Sequence, residues 1–265
     1  MNVIRYPFAI PTWRSHLRAL IAVAKNDWRR FWRYPLSVVS HIFMPVTWLV
    51  PAYFTSQAFS VNGEAHGFAG YTGTTDFMSF ILLGSFLSNF INAVFWGMGY
   101  SLKNDMDSGV LESNWMTPVP RSTLLIGRTF TNMVITTITS TCIVLLGWMF
   151  FGFHLTGDVV LAFLSVLPML LGLYGFGFAF ASIVLLLRDS NTLVDVSSYL
   201  VTLFSGSNFP VTALPRWLLP VALALPITYG YDAFRGWLLG TRTLLPLHIE
   251  TGLLVIFMVL MLWTG

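Results

Sequence analysis

K-N-D-M-D-S-G-V-L-E-S-N-W-M-T-P-V-P-R-S-T-L-L-I-G-R, Lys103 to Arg128, is the only polar stretch of any length between two long apolar runs, and the fold turns on how it is read. Asp105 and Asp107 stand where the start of a helix favours negative charge. Met106, Val110, Leu111 and Trp115 recur at helical spacing, so a short amphipathic helix is expected here. Thr117 precedes Pro118, and Pro120 follows. A residue before proline is pushed out of the helical region, so the helix is expected to stop near Met116 and the chain to turn into Arg121. Such an element, joining two apolar runs, is one on which a body outside a membrane can press.

Outward from that stretch the chain is apolar in both directions. It is 55% hydrophobic and 9% charged, with a mean hydropathy of +0.72, against about 25% charged residues in an ordinary soluble domain. This composition is that of an all-α polytopic membrane protein. The net charge of +3 does not point to nucleic acid, because half of the Lys and Arg residues lie before Leu36, where they mark membrane orientation instead. The single cysteine, Cys142, lies inside an apolar run and excludes a disulfide framework or thiolate cluster.

Before the first apolar run, residues 1–33 carry Arg5, Arg14, Arg18, Lys25, Arg29, Arg30 and Arg33 against one acid, Asp27. Trp13, Leu17, Leu20, Ile21 and Ala24 fall at three- and four-residue steps, with Trp28, Phe31 and Trp32 beyond. Aromatic residues interleaved with arginine favour a cytoplasmic amphipathic helix lying in the membrane interface over a solvated basic arm. No clean apolar core followed by a cleavage site is visible here, so the first span is expected to direct insertion.

A crossing of a core ~30 Å thick needs about 20 apolar residues. Six spans are expected, over 36–54, 77–102, 129–153, 159–187, 196–210 and 246–263. The first contains Pro45 and Pro51, which neighbouring helices can accommodate. The second is punctuated by Ser79, Ser85, Ser88, Asn89 and Asn92 among Phe80, Phe86, Phe90, Phe95 and Trp96. Asparagine in hydrocarbon is costly without a partner, so Asn89 and Asn92 are expected to face other helices or a cavity, bonding between helices or lining a path. Gly172, Gly175 and Gly177 in the fourth read as packing positions. Segment 211–245 is broken by Pro220 and Pro226 and cannot cross as one helix. Two short helices dipping into the external interface fit it better. On this arrangement eleven of the fourteen basic residues lie inside, with Arg216, Arg235 and Arg242 outside, which puts both termini and the 103–128 loop in the cytoplasm.

Several chemistries have no support. There is no G-x-x-x-x-G-K-[ST] phosphate loop, no His-Glu-x-x-His, no second histidine at ligand spacing, and no nucleophile set beside a base. Ionisable residues sit at span ends or in loops, unlike the deep charges that carry a coupling ion. Energy for transport is therefore expected to enter from a partner, through the cytoplasmic helix.

The segment S-G-V-L-E-S-N-W-M-T-P-V-P-R-S-T-L-L-I-G-R, 108–128, resembles the cytoplasmic loop of the type-2 ABC exporter permeases, which carries a glycine, a leucine, an acidic residue and a Thr-Pro or Ser-Pro pair. The segments F-S-G-S-N-F-P-V-T-A-L-P-R-W-L, 204–218, and P-I-T-Y-G-Y-D-A-F-R-G-W-L-L-G, 226–240, resemble the late signature of the same family, which includes daunorubicin-resistance and nodulation-factor export permeases. The resemblance implies a half-transporter in the cell (inner) membrane, with a re-entrant helix pair before the last span. It also implies a second permease subunit and two separate ABC ATPase subunits that bind the ATP and Mg. The family's coupling helix falls on residues 107–118, which nominates Asp107, Leu111, Glu112, Trp115 and Pro118, with Glu112 and Trp115 as first contacts. Its substrate path, between second and fifth spans, nominates Phe86, Asn89, Phe90, Phe204 and Asn208, for each of which a packing role stands beside substrate contact. Family members commonly carry a short basic tail after the last span, and the sequence given ends W-T-G at Gly265.

The expected function is export of an amphipathic or lipid-like small molecule. Export of a lipid-linked glycan is the alternative within the family. An ion-coupled carrier or channel independent of ATP, or a non-transporting assembly subunit, are the alternatives outside it.

Overall fold

The computed structural model describes residues 13–60, 65–116, 121–151, 157–187 and 190–264. Among them the chain is helical without strands, and five helical stretches are long and apolar enough to cross a membrane: Val38–Ala58, Phe77–Asp107, Thr123–Phe150, Val159–Leu186 and Leu247–Thr264.

The first helix, α1 (Trp13–Arg33), packs along the start of α7 (Arg121–Phe151) and buries no residue completely. α2 (Pro35–Phe59) begins on a proline, whose missing N–H costs nothing at a helix start. A short helix, α3 (His66–Thr72), stands between α2 and the second crossing, and it ends on Gly73 in the left-handed conformation.

The second crossing departs most from expectation. α4 (Phe77–Asn92) is capped by the Asp76 carboxylate, which accepts from the Ser79 N–H at 2.9 Å. The helix then widens into a π segment, Ala93–Gly99, and resumes as α5 (Ser101–Asp107). At the first of these wide turns, Asn132 Nδ2 of α7 donates to the Ala93 oxygen at 2.9 Å. Asp105 and Asp107 therefore close the long second helix rather than opening a new one, as their composition suggested. Carboxylates at a helix C-terminus are disfavoured by its dipole. Here Lys103 Nζ lies 3.3 Å from Asp107, and Arg128 pairs with Asp105. The break comes at Ser108–Val110, where Gly109 has φ +67° and Val110 N–H reaches back to the Asp105 carbonyl at 2.9 Å, a six-to-one closure. α6 (Leu111–Trp115) follows.

α7 starts at Arg121, taking in the last residues of what reads as a loop, and runs for 31 residues. α8 (Val159–Leu186) is capped by Asp158 and passes Pro168 without ending. α9 (Ser190–Phe204) has 15 residues, roughly 22 Å of rise, which is short for a crossing. It stops at Gly206, which has φ +78°, and not at Pro210 where the proline signal placed the end.

The segment after α9 forms two helices, α10 (Leu219–Ala224) and α11 (Pro226–Leu239). Thr228 and Tyr229 hydroxyls donate to the Ala222 and Leu223 carbonyls at 2.7 and 2.9 Å, tying the pair together. α12 (Leu247–Thr264) ends the described chain. The core lies where α4, α8, α11 and α12 meet, with Leu82, Leu87, Ile91, Met169, Leu173, Tyr231, Phe234 and Leu254 buried. α8 and α12 approach closely because a Cβ on Gly175 would meet the Met261 backbone at 2.7 Å, as expected of a small-residue packing position.

Candidate functional site

Four of the five polar residues of α4 fall on one helical face. Ser85, Ser88, Asn89 and Asn92, with Trp96 below them, step by three and four and line an open groove of about 820 Å³. Ser40, His41, Met44 and Ala52 of α2 form a second wall, and Thr202 of α9 and Asn208 close a third. The stripe is held rather than loose. Asn89 Nδ2 donates to the Thr139 and Ser140 hydroxyls at 3.0 and 2.8 Å, Asn92 Nδ2 to the Ser88 carbonyl at 3.1 Å, and the Ser88 hydroxyl meets Tyr231 Oη at 2.8 Å. With both Asn89 N–H groups engaged, its side chain is fixed beside an apolar hollow. A volume of this size, apolar with a few convergent polar groups, suits a drug-sized amphiphile.

Above the groove sits a buried cation. Arg235 of α11 is only 3% exposed. Its guanidinium donates to the carbonyls of Phe80, Gly206 and Ser207, and lies 3.4 Å from the centre of the Phe80 ring. Three carbonyls and an aromatic face replace the water that the charge gives up. The same end holds Asp232, which accepts from Leu244 N–H at 2.5 Å, and Glu250, fully buried, which accepts from Leu245 N–H at 3.0 Å. These two carboxyls adjoin, and together they fasten the connection between α11 and α12.

At the opposite end, α6 offers a partly exposed surface. Leu111 points inward, 7% exposed, onto Leu125, Ala181 and Leu185 of α7 and α8. Val110, Glu112 and Met116 face outward, Met116 at 88% exposure. Around Arg128 the acids Asp105 and Asp27 converge. Burial pushes the Asp27 carboxyl above the ordinary carboxylate range, against the opposing pull of Arg128 and Arg30.

The groove is walled by three helices, with a small anchored helix at the far end of its longest wall. The family model described as ABC-2 type transporter matches residues 18–239, from the second turn of α1 to the end of α11. The chain belongs to that family. It is also similar to the probable doxorubicin resistance ABC transporter permease protein DrrC of Mycobacterium tuberculosis, in strains CDC 1551 / Oshkosh and ATCC 25618 / H37Rv. Each is 28% identical over 155 residues, covering 55% of this chain and 53% of the relative, so the chain spans about half the length of the curated relatives it matches.

Within this ABC-2 transporter chain, the residues nominated from sequence separate by where they point. Asn89 and Asn208 stand at the groove. Phe86 and Phe90 lie on the other side of α4, in the core. Phe86 stacks on Phe234 at 5.4 Å and meets Phe163 edge-on at 5.9 Å, and Phe90 is 5.5 Å from Phe86. Phe204 is half-buried at the end of α9. Asp107 and Glu112 are exposed, Leu111 is the anchor of α6, the Trp115 backbone closes α6, and Pro118 lies outside the described residues. Sequence reading named Ser85 without assigning it to the path, and passed over His41, Met44 and Thr202. The three-and-four stepping of Ser85, Ser88, Asn89 and Asn92 was the available signal for the first. The others reach the groove only through the packing of α2 and α9 on α4. Among the described residues no three of His, Cys, Asp and Glu gather as a metal set.

Proposed function

We propose that this chain is the membrane-spanning permease subunit of an ATP-driven exporter that moves an amphipathic, drug-type small molecule out of the cell. The groove of about 820 Å³ with its polar stripe on α4 carries this reading, taken with membership of the ABC-2 transporter family. Similarity to a doxorubicin-resistance permease supports the choice of substrate class. In this reading the chain lies in the cell (inner) membrane with both termini in the cytoplasm. α9 and the turn after it make a sixth, short crossing, α10 and α11 form a re-entrant pair on the outer side, and α1 lies in the inner interface.

Energy comes from two separate ATPase subunits, which hold ATP and Mg. They engage the exposed side of α6 through Glu112 and the Trp115–Pro118 corner, and a second permease subunit completes the path. The test is co-reconstitution with the partner ATPase. Hydrophobic amphiphiles should stimulate ATP hydrolysis and be moved vectorially, and Glu112→Ala should abolish the stimulation while leaving the purified permease folded. Transport by this chain alone in liposomes would overturn the reading in favour of an ATP-independent carrier.

The hydroxyl and amide groups of the stripe also favour a second substrate, a lipid-linked glycan. Co-purification decides between them, since a glycan exporter should retain a lipid-linked glycan through detergent extraction.

A further inference from the structure

The connection from α11 to α12 is held by two carboxyls that take consecutive amides. Leu244 N–H donates to Asp232 Oδ2 at 2.5 Å, and Leu245 N–H to Glu250 Oε1 at 3.0 Å. One oxygen of Glu250 remains. Glu250 has no solvent exposure, and its Oε2 is buried without a donor from the described residues. The group it adjoins is the other carboxyl, that of Asp232. Two carboxylates in contact out of water repel each other. They become a bond when a proton stands between them, because a carboxylic acid then donates to a carboxylate.

Charge points the same way. Arg235, one helical turn on from Asp232, is the buried cation of this region, and its nitrogens already sit on the Phe80, Gly206 and Ser207 carbonyls. With Asp232 and Glu250 both ionised, these three residues would keep one uncompensated negative charge out of water, where it is costly. The other titratable groups nearby are occupied or face solvent. Tyr231 Oη is 2.8 Å from the Ser88 hydroxyl. Tyr71 of α3 and Arg242 of the connecting loop line the hollow beside Asp232, and both are exposed, as is His248 in the first turn of α12. On α8, Asp158 caps its own helix, and Tyr174 stands between Gly172 and Gly175, which meet Phe257 and Met261, deeper than Glu250. α4 carries no titratable side chain.

We propose that Asp232 and Glu250 bind one proton between them in the folded protein, so that the clasp between α11 and α12 is an acid–carboxylate bond. A folded state that keeps a proton which the unfolded chain releases loses stability as pH rises. For one proton the unfolding constant grows about tenfold per pH unit, from the unfolded carboxylate range up to the pH at which the pair lets its proton go. This proton count is independent of the export reading and of the side of the membrane on which the loop lies.

The experiment is unfolding of the purified full chain in mixed micelles from mildly acidic to alkaline pH, with parent and variants compared at each pH so that other titrations cancel. Glu250→Gln supplies an N–H in place of the shared proton and keeps an acceptor for Leu245. It should fold, and the ratio of its unfolding constant to that of the parent should fall about tenfold per pH unit across that window. Asp232→Asn should do the same, since either side can supply the donor. Infrared spectra of the parent should show a protonated-carboxyl band that weakens in both variants. A ratio flat with pH, a band unchanged in both variants, or loss of the fold in both would overturn the proposal, because an amide reproduces an acid–carboxylate bond and not a pair of carboxylates. So would alkaline stability that rises with sodium chloride but not with N-methylglucamine chloride. That result would put a sodium ion on the pair, with the buried, unpartnered Thr241 Oγ1 as a further oxygen.

Discussion

The Arg235 side chain donates from Nε to the Phe80 carbonyl at 3.1 Å, joining α11 to α4 across 155 residues of sequence. Its other two nitrogens take the carbonyls of Gly206 and Ser207, the turn that ends α9. One fork thus fixes three elements. Arg235→Lys keeps the charge but not the fork, and should destabilise the protein by about 2–3 kcal/mol, read as a lower melting temperature in detergent.

Gly84 makes room for that fork. A Cβ there would come within 1.9 Å of the Ser207 carbonyl oxygen and 2.4 Å of Arg235 Nη2. Gly84→Ala should cost about 1–3 kcal/mol by overpacking, and should be no worse when combined with Arg235→Lys than the sum of the two. A double variant less damaged than that sum would show that they disrupt the same contact.

The π segment depends on Asn132. Asn132→Leu removes the side-chain donor to the Ala93 carbonyl, at a cost of about 1 kcal/mol. Amide exchange across Ala93–Gly99 should accelerate while the first turns of α4 stay protected, which hydrogen-exchange mass spectrometry can resolve.

Asp27 gives a pH signature. Its carboxyl titrates above the ordinary value of 3.8 because burial outweighs the attraction of Arg128 and Arg30. The folded state therefore holds its proton more tightly than the unfolded state, and the ionised form is a burden at neutral pH. Asp27→Asn should melt higher than the parent at pH 7. The advantage should shrink as pH falls through the folded titration and vanish below the unfolded one. A variant that melts lower at pH 7 would mean that the arginines outweigh burial.

Leu111 is the buried foot of α6. Leu111→Ala should speed amide exchange in Leu111–Trp115 by about thirtyfold, the equivalent of ~2 kcal/mol of lost packing, with little change in global melting. Equal acceleration throughout the chain would place Leu111 in the global core instead.

What the sequence disclosed follows from the physics of each element. The apolar runs of α2, α4, α7, α8 and α12 are legible because hydrocarbon admits only long, internally bonded helices. Asp105 and Asp107 read as the start of a separate short helix, yet they end the long second one, where Lys103 and Arg128 neutralise Asp107 and Asp105 and Arg128 lies 23 residues on, in α7. Arg235 counts as an external charge by position. Its burial depends on carbonyls freed where α9 turns at Gly206, which no local pattern reveals. The facing of Phe86 and Phe90 was decidable in principle, since they fall off the Ser85–Ser88–Asn89–Asn92 stripe by helical phase. Aromatic content alone does not say which side is wet.

The groove wall and the end of α5 share a single backbone. From Phe77 to Asp107 the chain is one rod of 31 residues, so that Asn89 and Asp107 stand roughly 27 Å apart along one axis. The wider turns at Ala93–Gly99 interrupt the regular ladder of that rod between the groove and its far end.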